Sequence, residues 1–494
     1  MATCAFANLN STSVDLAPEV LQVVIPISCI DAVSASIAQV TGGRVVGRNL
    51  RSRVGESPLL LIPLQVKVRE FTGKVLLGAV AAERGWTTVV GTHRRLRPAI
   101  NRYPPGLVLD YSAARPFSPL FRSYADQGHS VAATEEEGLV DHAMHALPDL
   151  DAYCAWGPNE AAQAERTALL PREQIHKTGN PRFDLLRPEL RGLHRDDTER
   201  LRKRYGSYIL VNTNFNANVL FGKERLVRTY AQDVVGYDLP IDWFERRDAH
   251  SAALFQAFVA MVRAVAERFP DRIVVVRPHP SESSERWQQL VGDVTNVHVE
   301  LSGNVVPWIL GADAVVHQSC TTAIEAAVLG ATVVAYRPVR NEEFDWDLPN
   351  SVSCEVSTLP ELFDALTAAR EPLHEPNTPP ALAEYVTGTS GPLAAERMME
   401  VFERLDIRPQ EFRWGPVRHA RAALDVGVIT AKHAINRATG RSSTPFSFER
   451  QKNPGWDVAE VEATLRTLHD ATGRFENVHA FPVSKHVVGI TALD

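Results

Sequence analysis

From residue 58 the chain alternates short apolar runs with amphipathic stretches, and the alternation predicts its architecture. "PLLLIPLQVKVRE" reads as a buried strand, "TGKVLLGAVAAERG" has helical spacing and closes on Gly85, and "WTTVVGTH" is strand again. "PPGLVLDYS", "PLFRSYADQG" and "HSVAATEEEGLV" continue the rhythm. A second series starts near 207 with "YGSYILVNTNFN", the long amphipathic "HSAALFQAFVAMVRAVAERFP" and "DRIVVVRPHP". It continues through "VHVELSGNVVPWILGADAVVHQSCTTAIEAAVLGATVVAYRPV". Strand and helix alternating through short turns imply parallel βαβ units.

The expected fold class is α/β, with two Rossmann-like domains facing across a cleft and a helical C-terminal extension. The boundaries read as an unassigned appendage over 1–57, an acceptor domain over 58–190, a charged linker helix over 191–206, a nucleotide-binding domain over 207–400 and a helical extension over 401–494. Within that extension, "RHARAALDVGVITAKHAINRATGR" carries five Arg/Lys against the single acid Asp425. It reads as a packing helix with a basic face, or as a segment lying on an anionic membrane surface.

Composition narrows the partners. At 494 residues, 45% hydrophobic and a formal charge of -7, the chain can bury large cores, and its overall balance favours no nucleic acid. An anionic ligand must be met by local charge. Five scattered cysteines without a CxxC pair suggest reduced thiols, hence a cytoplasmic protein. Residues 1–43 carry no Lys or Arg, so "VLQVVIPISCI" lacks the basic flank of a secretory signal. Peripheral association with the inner face of a membrane follows only from the basic segment. No metal and no cofactor is expected: "DLD" at 149–151 matches too little to mark a metal site, and "GGRVVGRNL" lacks the Gly-Lys-Ser/Thr of a phosphate loop.

Three segments carry candidate chemistry. In open parallel sheets, ligands bind beyond the carboxyl ends of strands. "VVVRPHPSES" puts Arg277 and His279 at such an end, Arg offering a fork and His a ring donor to phosphate, with two prolines restricting the loop. The competing reading is a solvated strand end. "ADAVVHQSCTTAIEAAVLGA" is strand, turn and helix, and the unpaired amides of a helix start attract anions, helped here by Ser319, Thr321 and Thr322. Glu325 either completes a capping box with Thr322 or accepts from a ribose. "ATEEEGLV" crowds three acids after a strand, so that Glu136 or Glu137 could act as a general base; the alternative is an exposed acidic turn.

With these segments in order, residues 59–340 resemble bacterial surface-carbohydrate (polysaccharide) biosynthesis proteins, which look like GT-B glycosyltransferases. The landmarks are "VKVREFTGKVLLGAVAAERGWTTVVG", "EEEGLV", "TGNPRFDLL", "ILVNTNFN", "RPHP" and "HQSCTTAIEAAVLG". The acidic, His-Pro and hydroxyl elements are also similar to motifs of bacterial sialyltransferases and Kdo transferases. That resemblance implies Glu136 or Glu137 as base, His279 with Ser319 and Thr321 on the phosphate of a CMP-activated donor, and Arg277 as a neighbour. It implies transfer of a sugar, in the nonulosonate class, from a nucleotide-sugar donor to a glycan or lipid-linked glycan. A CDP-polyol phosphotransferase, an epimerase of the UDP-N-acetylglucosamine 2-epimerase kind, and a non-catalytic nucleotide-binding scaffold are the alternatives.

Overall fold

The computed structural model describes residues 57–113, 118–136, 150–167, 169–215, 240–280, 282–369, 380–405, 407 and 454–493. The expected appendage, apart from its last residue, and the basic segment at 418–441 lie outside the described residues, as does Glu137.

Two sheets organise these residues. The first runs β13-β14-β2-β1-β3-β4-β5-β6 and the second β12-β11-β10-β7-β8-β9. Strands β1 (Leu59–Leu64), β2 (Thr87–Thr92), β3 (Leu107–Asp110), β4 (Ser130–Ala133), β5 (Ala152–Ala155) and β6 (Ile175–Lys177) are mutually parallel. Helices α1 (Lys67–Glu83), α2 (Ser118–Ala125), α3 (Pro158–Arg166) and α4 (Pro181–Asp184) fall between or after them. The stretch "QVKVRE", expected to extend β1, instead starts α1. Its alternating valines mimic a strand, but the Glu70 carboxylate turns back to accept from the backbone N–H groups of Gln65 and Val66 at 2.9 and 2.8 Å, supplying acceptors at the helix start.

A short helix, α5 (Arg195–Tyr205), lies within the expected linker and leads into the second sheet. That sheet contains β7 (Tyr208–Asn212), β8 (Ile273–Arg277), β9 (Val297–Val299), β10 (Ala314–His317), β11 (Val333–Tyr336) and β12 (Cys354–Val356), all parallel. Between them run α6 (Ile241–Arg268), α7 (Ser284–Val291), α8 (Val305–Gly311) and α9 (Thr322–Leu329), and α10 (Leu359–Ala368) follows β12. Along α6 the stretch Asp242–Arg268 is long and apolar enough to cross a membrane. Leu254, Phe255, Phe258, Met261 and Val262 on it are nevertheless packed into the core of this domain.

The C-terminal extension is not all helix, as its sequence pattern predicts, but also carries strands. Helices α11 (Ala394–Arg404) and α12 (Val458–Thr472) are followed by a hairpin of β13 (Val478–Ser484) and β14 (Val487–Ala492). The hairpin adds antiparallel to β2, so the chain's end completes the first sheet. The return begins before residue 401: the Asp184 carboxylate accepts from Ala394 N and Ala395 N at 2.8 and 3.0 Å, capping α11. Arg187 donates to the carbonyls of Gly391 and Pro392 at 2.8 and 2.9 Å. Gly179 has φ +80, and a Cβ there would sit 2.1 Å from Thr387 O, so only glycine lets the returning chain pass so close. A shared apolar cluster joins Trp156, Phe183 and Leu186 of the first domain to Ile324 and Leu329 of the second and Leu382 of the return.

Candidate functional site

Strand order locates the crevice. In the second sheet the order reverses between β7 and β10, and in the first between β1 and β3. Open α/β sheets bind ligands at such switch points, beyond the carboxyl ends of the strands.

At the β7/β10 switch, His317 ends β10 fully buried, with Nε2 2.8 Å from Ser353 Oγ and Nδ1 accepting from Cys320 N at 3.4 Å. Burial pushes its pKa down to about 3, so it serves as a neutral peg. Ser319 follows with φ 42, a left-handed conformation costly for a side-chain-bearing residue. Asn350 holds it there: its amide donates to Ser319 Oγ at 3.0 Å and accepts from Ser319 N at 3.3 Å. The strained turn delivers Thr321 and Thr322, both half-buried, to the start of α9. Asn212, closing β7, donates from Nδ2 to Thr322 Oγ1 at 3.1 Å.

The neighbouring β8 end departs from expectation. Arg277 is buried, donates to Ser302 O at 2.8 Å and to Gly303 O, and stacks over Trp308 with 5.4 Å to the ring centroid. Burial brings its pKa down to about 10. Its fork is engaged in holding the 302–303 loop, so the structure gives it a structural task in place of the expected phosphate contact. His279 is half-buried, and its carbonyl accepts from Glu282 N at 2.7 Å. Glu282, which sequence reasoning passed over, accepts from Thr213 Oγ1 at 2.6 Å, Phe215 N at 2.5 Å and Trp287 Nε1 at 2.9 Å. It ties the His279 loop to the loop after β7.

Glu325 does not complete the expected capping box. No side-chain cap forms at the start of α9, and both carboxylate oxygens accept from Arg182 of the first domain, at 2.9 and 2.8 Å. The pair is buried and spans the two domains. Such a bidentate fork fixes orientation as well as charge.

On the facing side, the acidic motif divides. Glu135 accepts from Ala113 N at 2.7 Å and Ser112 Oγ at 3.2 Å, and burial pushes its carboxyl up to about 7. Glu136 is 3% exposed and pairs with Lys74 at 2.7 Å, itself 3% exposed, so this glutamate is not on an exposed turn. Glu70, one turn before Lys74 on α1, is pushed up to about 7 by burial and by Glu136. Arg182 lies within the fields of Glu136 and Glu70 as well as Glu325, so one electrostatic cluster runs from the acidic motif to α9. Asp151 of the "DLD" stretch accepts from Val131 N at 2.7 Å, a structural bond. Among the described residues no group of His, Cys, Asp and Glu is arranged to hold a metal ion.

Besides Lys74 Nζ and Glu136 Oε1, which meet as an ion pair without hydrogen-bond geometry, three buried polar atoms beside this junction have no hydrogen-bond partner among the described residues: Thr134 Oγ1 after β4, Asn180 Nδ2 after β6 and Asn212 Oδ1 at the end of β7. Orphans of this kind in native structures call for an explanation, and bound ligand is one. Sequence reasoning missed Lys74, Arg182 and Asn212. A lysine in the otherwise apolar "GKVLLGAV", and polar residues ending "ILVN" and "TGNPR", were the available signals.

No family model matches the chain, and no curated protein does. Among solved structures it is similar to UDP-GlcNAc 2-epimerase from Methanocaldococcus jannaschii, at 10% identity and a TM-score of 0.45 over 70% of this chain and 99% of that one. The Neisseria meningitidis UDP-GlcNAc 2-epimerase bound to UDP-GlcNAc gives 13%, 0.43, 70% and 100%. The wall teichoic acid polymerase TagF gives 8%, 0.38, 76% and 96%. At these values the likenesses carry no argument about activity, and the two-sheet fold rests on this chain's own strand order.

Proposed function

We propose that the chain is a nucleotide-sugar-dependent glycosyltransferase of GT-B architecture. It acts in surface glycan assembly at the cytoplasmic side of a membrane, with a CMP-activated nonulosonate as the donor class. The observation that carries this reading is the convergence at the junction: a strained, hydroxyl-bearing helix start at the β7/β10 switch, linked through Arg182–Glu325 to the domain that holds Glu136. The Neisseria meningitidis epimerase was solved with UDP-GlcNAc bound, which is a property of that protein; the donor class proposed for this chain follows from the likeness of its acidic, His-Pro and hydroxyl elements to those of sialyltransferases and Kdo transferases.

In this reading Ser319, Thr321 and Thr322, with the first amides of α9, receive the donor phosphate, and His279 supplies a further donor from the adjoining loop. A single phosphate leaving group needs donors on that phosphate and a base on the acceptor. Glu136 takes the acceptor hydroxyl proton as the new glycosidic bond forms and the bond to phosphate breaks, releasing CMP. Lys74 compensates the buried charge of that carboxylate before the proton arrives.

The test is CMP release from a CMP-nonulosonate, with and without a glycan acceptor, by wild type and Glu136→Gln. Acceptor-dependent release that drops about 10²-fold or more in the variant supports the reading. Epimerised UDP-sugar formed without acceptor, or equal rates for both proteins, would displace it.

A further inference from the structure

The proposed phosphate position leaves one group at the same switch point unused. Asn212 is 3% exposed, its Nδ2 is held by Thr322 Oγ1 at 3.1 Å, and its Oδ1 is one of the orphans. A desolvated carbonyl oxygen without a donor is a standing loss of free energy that a ligand can recover. Its surroundings give it little room to turn away. Thr213 and Phe215, immediately downstream, are bonded to Glu282 at 2.6 and 2.5 Å, and Gln318 Nε2 donates to Asn214 O at 3.1 Å.

The chemistry of the missing partner follows from the atom. Amide oxygen accepts, so ionised phosphate and carboxylate cannot satisfy it, whereas a hydroxyl or an N–H group can, and the groups of a nucleotide next to its phosphate are the ribose hydroxyls. Glu325, the residue the sequence suggested for a ribose, has both oxygens on Arg182. We propose that Asn212 accepts a hydrogen bond from a ribose hydroxyl of the nucleotide whose phosphate rests on the first turn of α9, making it the residue that selects ribonucleotides. This rests on the nucleotide reading above and adds its sugar specificity.

The experiment is calorimetric titration of wild type and Asn212→Ala with CMP and with 2′,3′-dideoxy-CMP, with UMP in parallel. Wild type should prefer CMP over the dideoxy form by about threefold to tenfold, the worth of one neutral hydrogen bond. Asn212→Ala also frees Thr322, a loss that falls on both nucleotides alike, so the variant should lose affinity for CMP by that factor beyond its loss for dideoxy-CMP and should no longer distinguish the two. Equal wild-type affinity for both nucleotides overturns the proposal without any variant, as does a loss in Asn212→Ala that is the same for both. Wild type that binds neither CMP nor UMP would overturn the CMP-donor reading, and the Asn212 assignment with it.

Discussion

Glu136 and Lys74 show how a single residue can be misread when only its role in chemistry is considered. Glu136→Gln removes the carboxylate but also leaves a lysine ammonium buried without its partner at 2.7 Å. Breaking one side of a buried pair costs about 3–5 kcal/mol, whereas replacing both sides by neutral groups of similar volume is often nearly neutral. Glu136→Gln and Lys74→Met should therefore each lower the urea midpoint clearly, and the double variant should recover most of the loss. Additive losses in the three unfolding curves would mean that the two side chains do not compensate each other. The same control separates a catalytic deficit from a folding one, because the stable double variant must still be slow if Glu136 is the base.

At the scale of elements, α9 and α4 are joined by the buried pair of Glu325 and Arg182. Glu325→Gln should lower the melting temperature, since Arg182 then keeps its charge in a buried site with one neutral partner. A capping role would have left stability intact, because Gln also completes a capping box. An unchanged melting temperature would therefore remove the interdomain pin. Element boundaries explain what the sequence could and could not disclose. Strands such as β1, β8 and β11 were legible because they are short, almost wholly apolar runs buried on both faces, whereas β6, reading Ile-His-Lys, and β12, reading Cys-Glu-Val, are three-residue strands with polar positions and were not. The hydroxyl turn before α9 was legible because strand, turn and helix are consecutive. The Arg182–Glu325 pair was not, since its members lie 143 residues apart. The β13/β14 hairpin was equally hidden, because Pro482 interrupts the first strand and its pattern is only partly alternating.

Across the whole molecule, burial has moved many carboxyls the same way. Glu70, Glu135, Asp184 and Glu282 are pushed up to about 7 and Glu160 to about 8, chiefly by burial. The folded chain therefore holds protons that the unfolded chain, with ordinary values of 4.5 or 3.8, has already released. Stability must fall as pH rises through this range. His194 and His317 act oppositely, held down to about 4 and 3 by burial, but their cost arises mainly below the ordinary 6.5. Between about pH 6.5 and 8 the carboxyls outweigh the fading contribution of the depressed histidines, so melting curves should shift to lower temperature as pH increases over that interval. A rising or flat melting temperature there would show that these carboxyls are not buried as described.

The central claim, that the β7/β10 switch of this molecule is a nucleotide site, is tested most directly by equilibrium binding. Purified protein is titrated with CMP, CDP, UDP and GDP, and its melting temperature is read at saturating ligand. CMP should bind most tightly and, at a hundredfold excess over its dissociation constant, should stabilise the fold by about 2.7 kcal/mol. That stabilisation should shrink in His279→Ala, whose lost contact should cost roughly 1.5–3 kcal/mol of affinity. A melting temperature unmoved by all four nucleotides would contradict the claim at its base.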